Sequence, residues 1–387
     1  MGMEIEVAVV GAGPAGLIAA REAASAGVEV LVLEEHEQVG LPVECAGLLS
    51  LRGLRAIGLS PSSRFVLNKL RGAVFYSPSG HRLVVEAPGP VACVVDREQL
   101  DLALAEQAAR AGAEVEVGRL VKRLSVRPDG ALLSGPWGSL RAEVAVVAEG
   151  FRSRLVRQLG LRTLDWHGVL PASQVEVPAP GLDEERVEVH FNSRLAPGFF
   201  AWVIPLGDGR ARVGLACRGL DPRKALRAFL KKRLGVSVLK PPYSGSVLKC
   251  GPIPKTYAAR AVVVGDAAGQ VKPTTGGGIV LGGLCARLAG RIVAEAVGAG
   301  DTSEQALRAY ELAWRRLLGR EFKAMLSARR LLDRLPDKTL DLAVKLASEL
   351  GLGREIAREA DMDFQSGVLA ALPRLALTCL ARRLKAL

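Results

Sequence analysis

Aromatic side chains are scarce: Phe, Trp and Tyr make up 4% of the 387 residues. No basic segment is interleaved with aromatics, so the stacking platform that nucleic acid binding requires is missing and a nucleic-acid partner is excluded. Paired cysteines are also lacking. The six thiols, Cys45, Cys93, Cys217, Cys250, Cys285 and Cys379, are scattered with no CxxC spacing, which excludes a zinc site, so no metal is expected. No uncharged stretch reaches the roughly 17–25 residues of a membrane-crossing helix. The apolar, glycine-rich run from Pro273 to Ala286 is too short and is closed by Lys272 and Arg287. The start, MGMEIEVAVVGAG, runs straight into a strand and leaves no room for a signal peptide, which points to a reducing cytoplasm.

The charge that is present is lopsided, with a formal balance of +12. It favours anionic partners: a phosphorylated substrate, a dinucleotide or an acidic membrane surface. Half of the residues are hydrophobic and a quarter charged, as in a globular chain of two or three lobes.

The segment EVAVVGAGPAGLIAAREAASAGVEVLVLEE carries the strongest local pattern. Ile5 to Val10 reads as a buried parallel strand, Ile18 to Ala26 as a helix, and Val28 to Leu33 as a second strand ending at Glu34. Gly11, Gly13 and Gly16 stand between them in GxGxxG spacing. The first permits a tight turn, the second lets backbone approach a pyrophosphate, and the third lets helix and sheet pack closely. The helix amino terminus then offers unpaired N–H groups to phosphate. A carboxylate at Glu34 can accept from ribose hydroxyls and disfavours a 2′-phosphate, which leaves FAD or NAD.

Three later segments favour the flavin. Asp96 and Arg97 open a helix, with Arg97 placed to meet an anionic group or a carbonyl. A hydrophobic strand stops at Glu149-Gly150. Another ends at Gly265-Asp266 and runs into Gly276-Gly277-Gly278 and a helix. An aspartate beside a helix start can bond a ribityl hydroxyl, and three glycines let backbone amides reach a polar ring edge. A nicotinamide needs no such second half-site; a flavin does.

GAGPAG, Asp96-Arg97 and GDAAG with PTTGGGI resemble the flavoproteins built on the p-hydroxybenzoate hydroxylase fold. GLPVECAGLLS, PGFFAWVIP and GPIPKTYAARAVVVGDAAGQVKPTTGGGI resemble the geranylgeranyl reductase family over roughly residues 4 to 320. The resemblance implies FAD as cofactor. It implies contacts from Ala15 and Glu34 at the pyrophosphate and ribose, and from Cys45 and Ala46 in a loop crossing near the flavin. It further implies contacts from Arg97 and Val121, from Asp266 at the ribityl chain, and from Gly278 and Ile279 at the ring. It implies reduction of prenyl double bonds of an isoprenoid lipid precursor, which in archaea means the chains of digeranylgeranylglycerophospholipid. Phe200 stands where the family's PxxYxWxFP pattern has tyrosine, Ile204 where it has phenylalanine, and Glu149 where related hydroxylases have aspartate.

Cys45 reads either as a small residue filling a tight loop or as a thiol that gives a proton to, gates or positions substrate. The resemblance favours the second, making Cys45 the candidate catalytic residue. Phe200 and Trp202 suit an apolar substrate cavity, and Cys285 could lie near the ring.

The expected fold class is α/β: a Rossmann-like FAD domain (1–72, 93–165 and 248–300), an inserted antiparallel sheet (73–92 and 166–247) and a helical region (301–387). Asp301 and Glu304 can cap the first helix of that region. The electron donor stays open among NADH, NADPH, a deazaflavin and ferredoxin. A substrate with two prenyl chains implies peripheral contact with the inner face of the membrane, aided by Arg374, Arg382, Arg383 and Lys385. Three other readings remain: a flavin monooxygenase or halogenase of the same fold, a quinone-linked electron-transfer flavoprotein, and a flavin binder without catalysis.

Overall fold

The computed structural model describes residues 3–237 and 242–385, with side chains from 4 to 380. Strand β1 (Met3–Val10) lies at the centre of an eight-stranded sheet. It runs parallel to β2 (Val30–Leu33) on one side and to Gly138–Val147 on the other. Further parallel strands, Glu114–Glu116 and Ala261–Val263, extend the two flanks. Val7, Ala8 and Val9 are fully buried, as strands covered on both faces require.

Helix α1 (Pro14–Ala24) begins with proline at its first turn and is rich in alanine, both good helix determinants. It packs against the helix Ile279–Gly298. The crossing is close because the partner supplies glycine: a Cβ at Gly290 would collide with the carbonyl oxygen of Ala19. Cys285 lies in this contact layer, fully buried with Ile18, Ala286 and Tyr310. It is a core residue, and the expectation that it approaches the ring is corrected.

A second sheet has seven strands in the order Tyr243–Leu248, Val169–Pro178, Arg210–Ala216, Ala201–Pro205, Arg186–His190, Gly72–Tyr76, Arg82–Glu86. All neighbours are antiparallel except Arg186–His190 with Gly72–Tyr76. The helix Pro222–Leu234 covers one face, with Leu226, Phe229 and Leu230 turned inward. The other face carries Phe200, Trp202 and Leu170. A small sheet of Leu48–Ser50, Ala92–Val95 and Val66–Leu70 stands beside it.

Four helices follow: Glu304–Leu332, Asp337–Glu349, Leu352–Glu359 and Ser366–Lys385. The first is capped by Ser303, whose hydroxyl accepts from the Ala306 amide. The Asp301–Glu304 cap is therefore corrected: Asp301 accepts from the Ser303 amide, and Glu304 pairs with Lys255. The serine wins because it stands one residue before the helix, where its oxygen reaches an unpaired amide.

Candidate active site

Gly11 follows β1 with φ of +101°, a conformation that favours glycine. Its amide donates to the Leu33 carbonyl at 2.8 Å, which locks the turn to β2. A Cβ at Gly11 would lie 2.5 Å from the Ala148 carbonyl oxygen, and one at Gly16 would collide with Gly11 itself. Gly13 differs: a Cβ there would meet no protein atom within 4 Å. It caps α1 with no side-chain partner for the first-turn amides, so the helix amino terminus faces open space.

That space is a cavity of about 280 Å³ lined by Gly11, Gly13, Glu34, Arg97, Val121 and Glu149, and it continues to Leu41–Glu44. Five of the expected cofactor contacts thus share one cavity. Glu34 is buried; its carboxylate accepts from the Ala12 amide at 2.7 Å and the His36 amide at 3.0 Å, and its Oε1 lies 2.6 Å from His36 Nδ1. A carboxylate has about four acceptor positions, so capacity for a further hydroxyl is left. Glu149 accepts from the amides of Arg154, Leu155 and Val156 and so caps the helix Arg154–Gln158. Burial still holds its carboxyl above the ordinary range.

Arg97 is the hub of the charged groups. Its Nη2 donates to both carboxylate oxygens of Asp101, at 3.0 and 2.9 Å. Burial works against its charge, but Asp101 and then the sulfur of Cys45 more than offset this and raise its pKa. Its Nε is buried without a partner among the described residues. Asp101 is itself pushed up by burial and drawn back by Arg97. Asp101 is not among the residues expected from the sequence, although its four-residue spacing from Arg97 on a helix is a usable signal.

Ala15, Asp266, Gly278 and Ile279 form a neighbouring group, outside the lining of that cavity. A Cβ at Gly265 would stand 2.7 Å from the Ala15 Cβ, and one at Gly278 would stand 2.6 Å from Asp266 Oδ1. Gly278 caps the helix opened by Ile279. Burial raises the Asp266 carboxyl and Arg97 counters it, so the two groups meet electrostatically at Arg97.

Cys45 is half-buried in the loop from Gly40 to Gly47. Its sulfur accepts from the Gly47 amide at 3.4 Å, and its carbonyl accepts from Gln174 Nε2 at 3.0 Å. The carbonyl of Ala46 accepts from Arg212 at 2.8 Å. Gln174 and Arg212 come from the seven-stranded sheet, so that sheet holds the thiol loop. Neither residue carried a sequence signal, because the contacts span 129 and 166 positions. Ala46 and Leu48 in turn pack on the cluster that contains Phe200 and Trp202. The ring of Phe200 meets that of Trp202 edge to face at 6.3 Å and stacks on Phe199 at 4.1 Å.

Residues 4–225 match the model of an FAD binding domain family. The digeranylgeranylglycerophospholipid reductase 2 of Methanothermobacter thermautotrophicus is 38% identical over 358 residues, covering 89% of this chain and 91% of the relative. A protein named likewise from Methanopyrus kandleri is 32% identical, covering 96% and 98%. The chain belongs to the digeranylgeranylglycerophospholipid reductase family. Among solved structures, a geranylgeranyl bacteriochlorophyll reductase-like protein of Thermoplasma acidophilum superposes with a TM-score of 0.86. It is 27% identical, and the alignment covers 97% of this chain and all of that one. The flavin-dependent brominase Bmp2 superposes with a TM-score of 0.73 at 17% identity, covering 98% and 100%, and shares the fold alone.

The cofactor of this reductase family member is FAD, and its residues fit that group. Open space over Gly13, free amides at the start of α1 and the unpartnered Nε of Arg97 suit an anionic dinucleotide. Among the described residues no cluster of His, Cys, Asp and Glu could hold a metal ion.

Proposed function

We propose that this chain is an FAD-dependent oxidoreductase that saturates C=C bonds in the geranylgeranyl chains of an isoprenoid lipid precursor. The observation that carries the reading is 38% identity, over nine-tenths of the chain, to a protein named digeranylgeranylglycerophospholipid reductase 2. When bound and reduced, FAD supplies the hydride. An isolated alkene has no carbonyl to polarise, so a proton must reach the second carbon in the same event. Cys45 Sγ holds that proton, with Arg97 beside it to stabilise the sulfur once the proton has left. The apolar wall of Phe199, Phe200 and Trp202 excludes water from the prenyl chain. An external reductant supplies the two electrons. NADH, NADPH, a deazaflavin and ferredoxin all satisfy this requirement.

Among the described residues no helix is long and apolar enough to cross a membrane. The enzyme collects its lipid by lying on the surface of an anionic membrane. Leu342, Leu346, Leu377 and Leu380 are exposed on the last helices, and Lys338 and Lys345 are exposed beside the first two. Arg374 is exposed and pairs with Glu359 at 3.0 Å; the side chains of Arg382, Arg383 and Lys385 lie outside the described residues.

The test is mass spectrometry of lipids from a host that makes unsaturated prenyl lipids and expresses this chain. Prenyl chains gaining two hydrogens per reduced bond are expected. Unchanged chains from a host with folded, flavin-loaded protein and a supplied reductant would refute the reading. Oxygenated or halogenated products would favour the monooxygenase reading instead.

A further inference from the structure

Asp363 lies between the last helices and is 1% exposed. Its Oδ1 accepts from Lys272 Nζ at 2.7 Å, and its Oδ2 accepts from the Ser50 hydroxyl. Lys272 is 5% exposed and also donates to the Met362 carbonyl at 3.2 Å. The two side-chain partners come from segments more than 200 residues apart in the chain, Ser50 and Lys272. Ser50 ends the strand that leaves the Cys45 loop, and its hydroxyl also accepts from the Gly53 amide at 2.7 Å. Lys272 opens the glycine loop: its carbonyl accepts from the Gly276 amide at 2.7 Å and its amide donates to the Gly277 carbonyl at 3.0 Å. The lysine side chain lies directly under that loop, since a Cβ at Gly277 would stand 2.8 Å from its Cε. Thr274 donates to Gln365 at 2.7 Å as a further tie between the same two segments.

We propose that the Lys272–Asp363 pair is a positioning and charge-balancing element of the flavin site, contributed by the carboxyl-terminal region. The inference rests on the reading that the Gly276–Gly278 loop meets the flavin ring. A buried ion pair contributes little net stability, but removing one partner leaves an uncompensated charge in a poorly screened place. Under the glycine loop that charge acts on the bound flavin. A stray ammonium favours the electron-rich reduced flavin, and a stray carboxylate disfavours it. A purely structural latch would have no such sign.

The experiment is the midpoint potential of the flavin-loaded protein for wild type, Asp363→Asn and Lys272→Met, measured at pH 8 with a redox dye. Asp363→Asn is expected to raise the potential and Lys272→Met to lower it. Flavin-loaded variants with the wild-type potential, or with shifts of the same sign, would overturn the inference alone. A wild type that binds no flavin would overturn the cofactor reading together with it. Should a single variant not fold, Lys272→Met/Asp363→Leu replaces the pair by apolar side chains and leaves no stray charge. It is expected to keep the wild-type potential and to release FAD about tenfold faster, because the bonds from Lys272 to Asp363 and Met362 and from Ser50 to Asp363, which tie the glycine loop to the carboxyl-terminal region, are all removed. Unchanged release from that variant would overturn the inference.

Discussion

Gly13 and Gly16 stand three residues apart under different constraints. A Cβ at Gly13, which lines the cavity, would meet no protein atom within 4 Å, whereas one at Gly16 strikes the Gly11 backbone. Gly13→Val should therefore fold and be colourless, with circular dichroism and a melting temperature close to those of the yellow wild type. Gly16→Ala should instead lose about 1–3 kcal/mol of stability through overpacking. A yellow Gly13→Val protein would refute the pyrophosphate assignment. The cysteines separate in the same way. Burial pushes Cys93 and Cys250 up to about 11, so both stay protonated at neutral pH, and Cys285 is sealed in the core. Cys45 is half-buried beside Arg97. Iodoacetamide at pH 7.5 should label Cys45 ahead of these three, as read by peptide mass mapping. Cys45→Ser should keep its flavin and lose most alkene reduction; full turnover would make the thiol a packing residue.

At the scale of elements, the loop from Gly40 to Gly47 has no regular structure of its own, and the neighbouring sheet supplies its order. Arg212, 6% exposed, joins Glu176 at 2.8 Å to the carbonyls of Ala46 at 2.8 Å and Val95 at 3.3 Å. Arg212→Met keeps much of the side-chain volume and removes all of these bonds. A loss of about 1–3 kcal/mol is expected, together with faster alkylation of Cys45 in the still-folded protein. Unchanged alkylation would show that the loop holds itself. The last helix also has two unlike faces. Leu375 and Cys379 are buried against Leu352, while Leu377 is 67% exposed. Deleting residues 375–387 would uncover that small core, so it is a poor probe of the exposed face. Leu377→Glu with Leu380→Glu changes the exposed face alone.

For the whole molecule, the excess of basic residues and the exposed leucines of the last helices lead to one expectation. Vesicles containing anionic lipid should cosediment the protein, and binding should fall as salt is added, because exposed basic residues contribute about 1 kcal/mol each near such a surface and are screened. Leu377→Glu/Leu380→Glu should weaken binding at every salt concentration without lowering the melting temperature. Equal binding to neutral and anionic vesicles would refute the electrostatic part, and full binding by the double variant would refute the part assigned to those leucines.

The amino-terminal cofactor motif was legible because its determinants are local. Gly11, Gly13 and Gly16 act within one turn, and Val7 to Val10 advertise a strand buried on both faces. The helix begins at Pro14, four residues before the Ile18 start that the sequence pattern suggests, because alanine and proline at a helix start carry little periodic signal. Cys45 and the aromatic segment at Phe200 and Trp202 had no such local determinants and stood out only through the family resemblance. What surrounds them was decided by tertiary structure. Cys45 meets Gln174, Ala46 meets Arg212, and Lys272 meets Asp363 across separations of 129, 166 and 91 residues. Such pairs leave no period or spacing in a single chain. They exist because burial leaves a polar group few ways to keep its hydrogen bonds, and only the packed fold determines which distant partner is within reach.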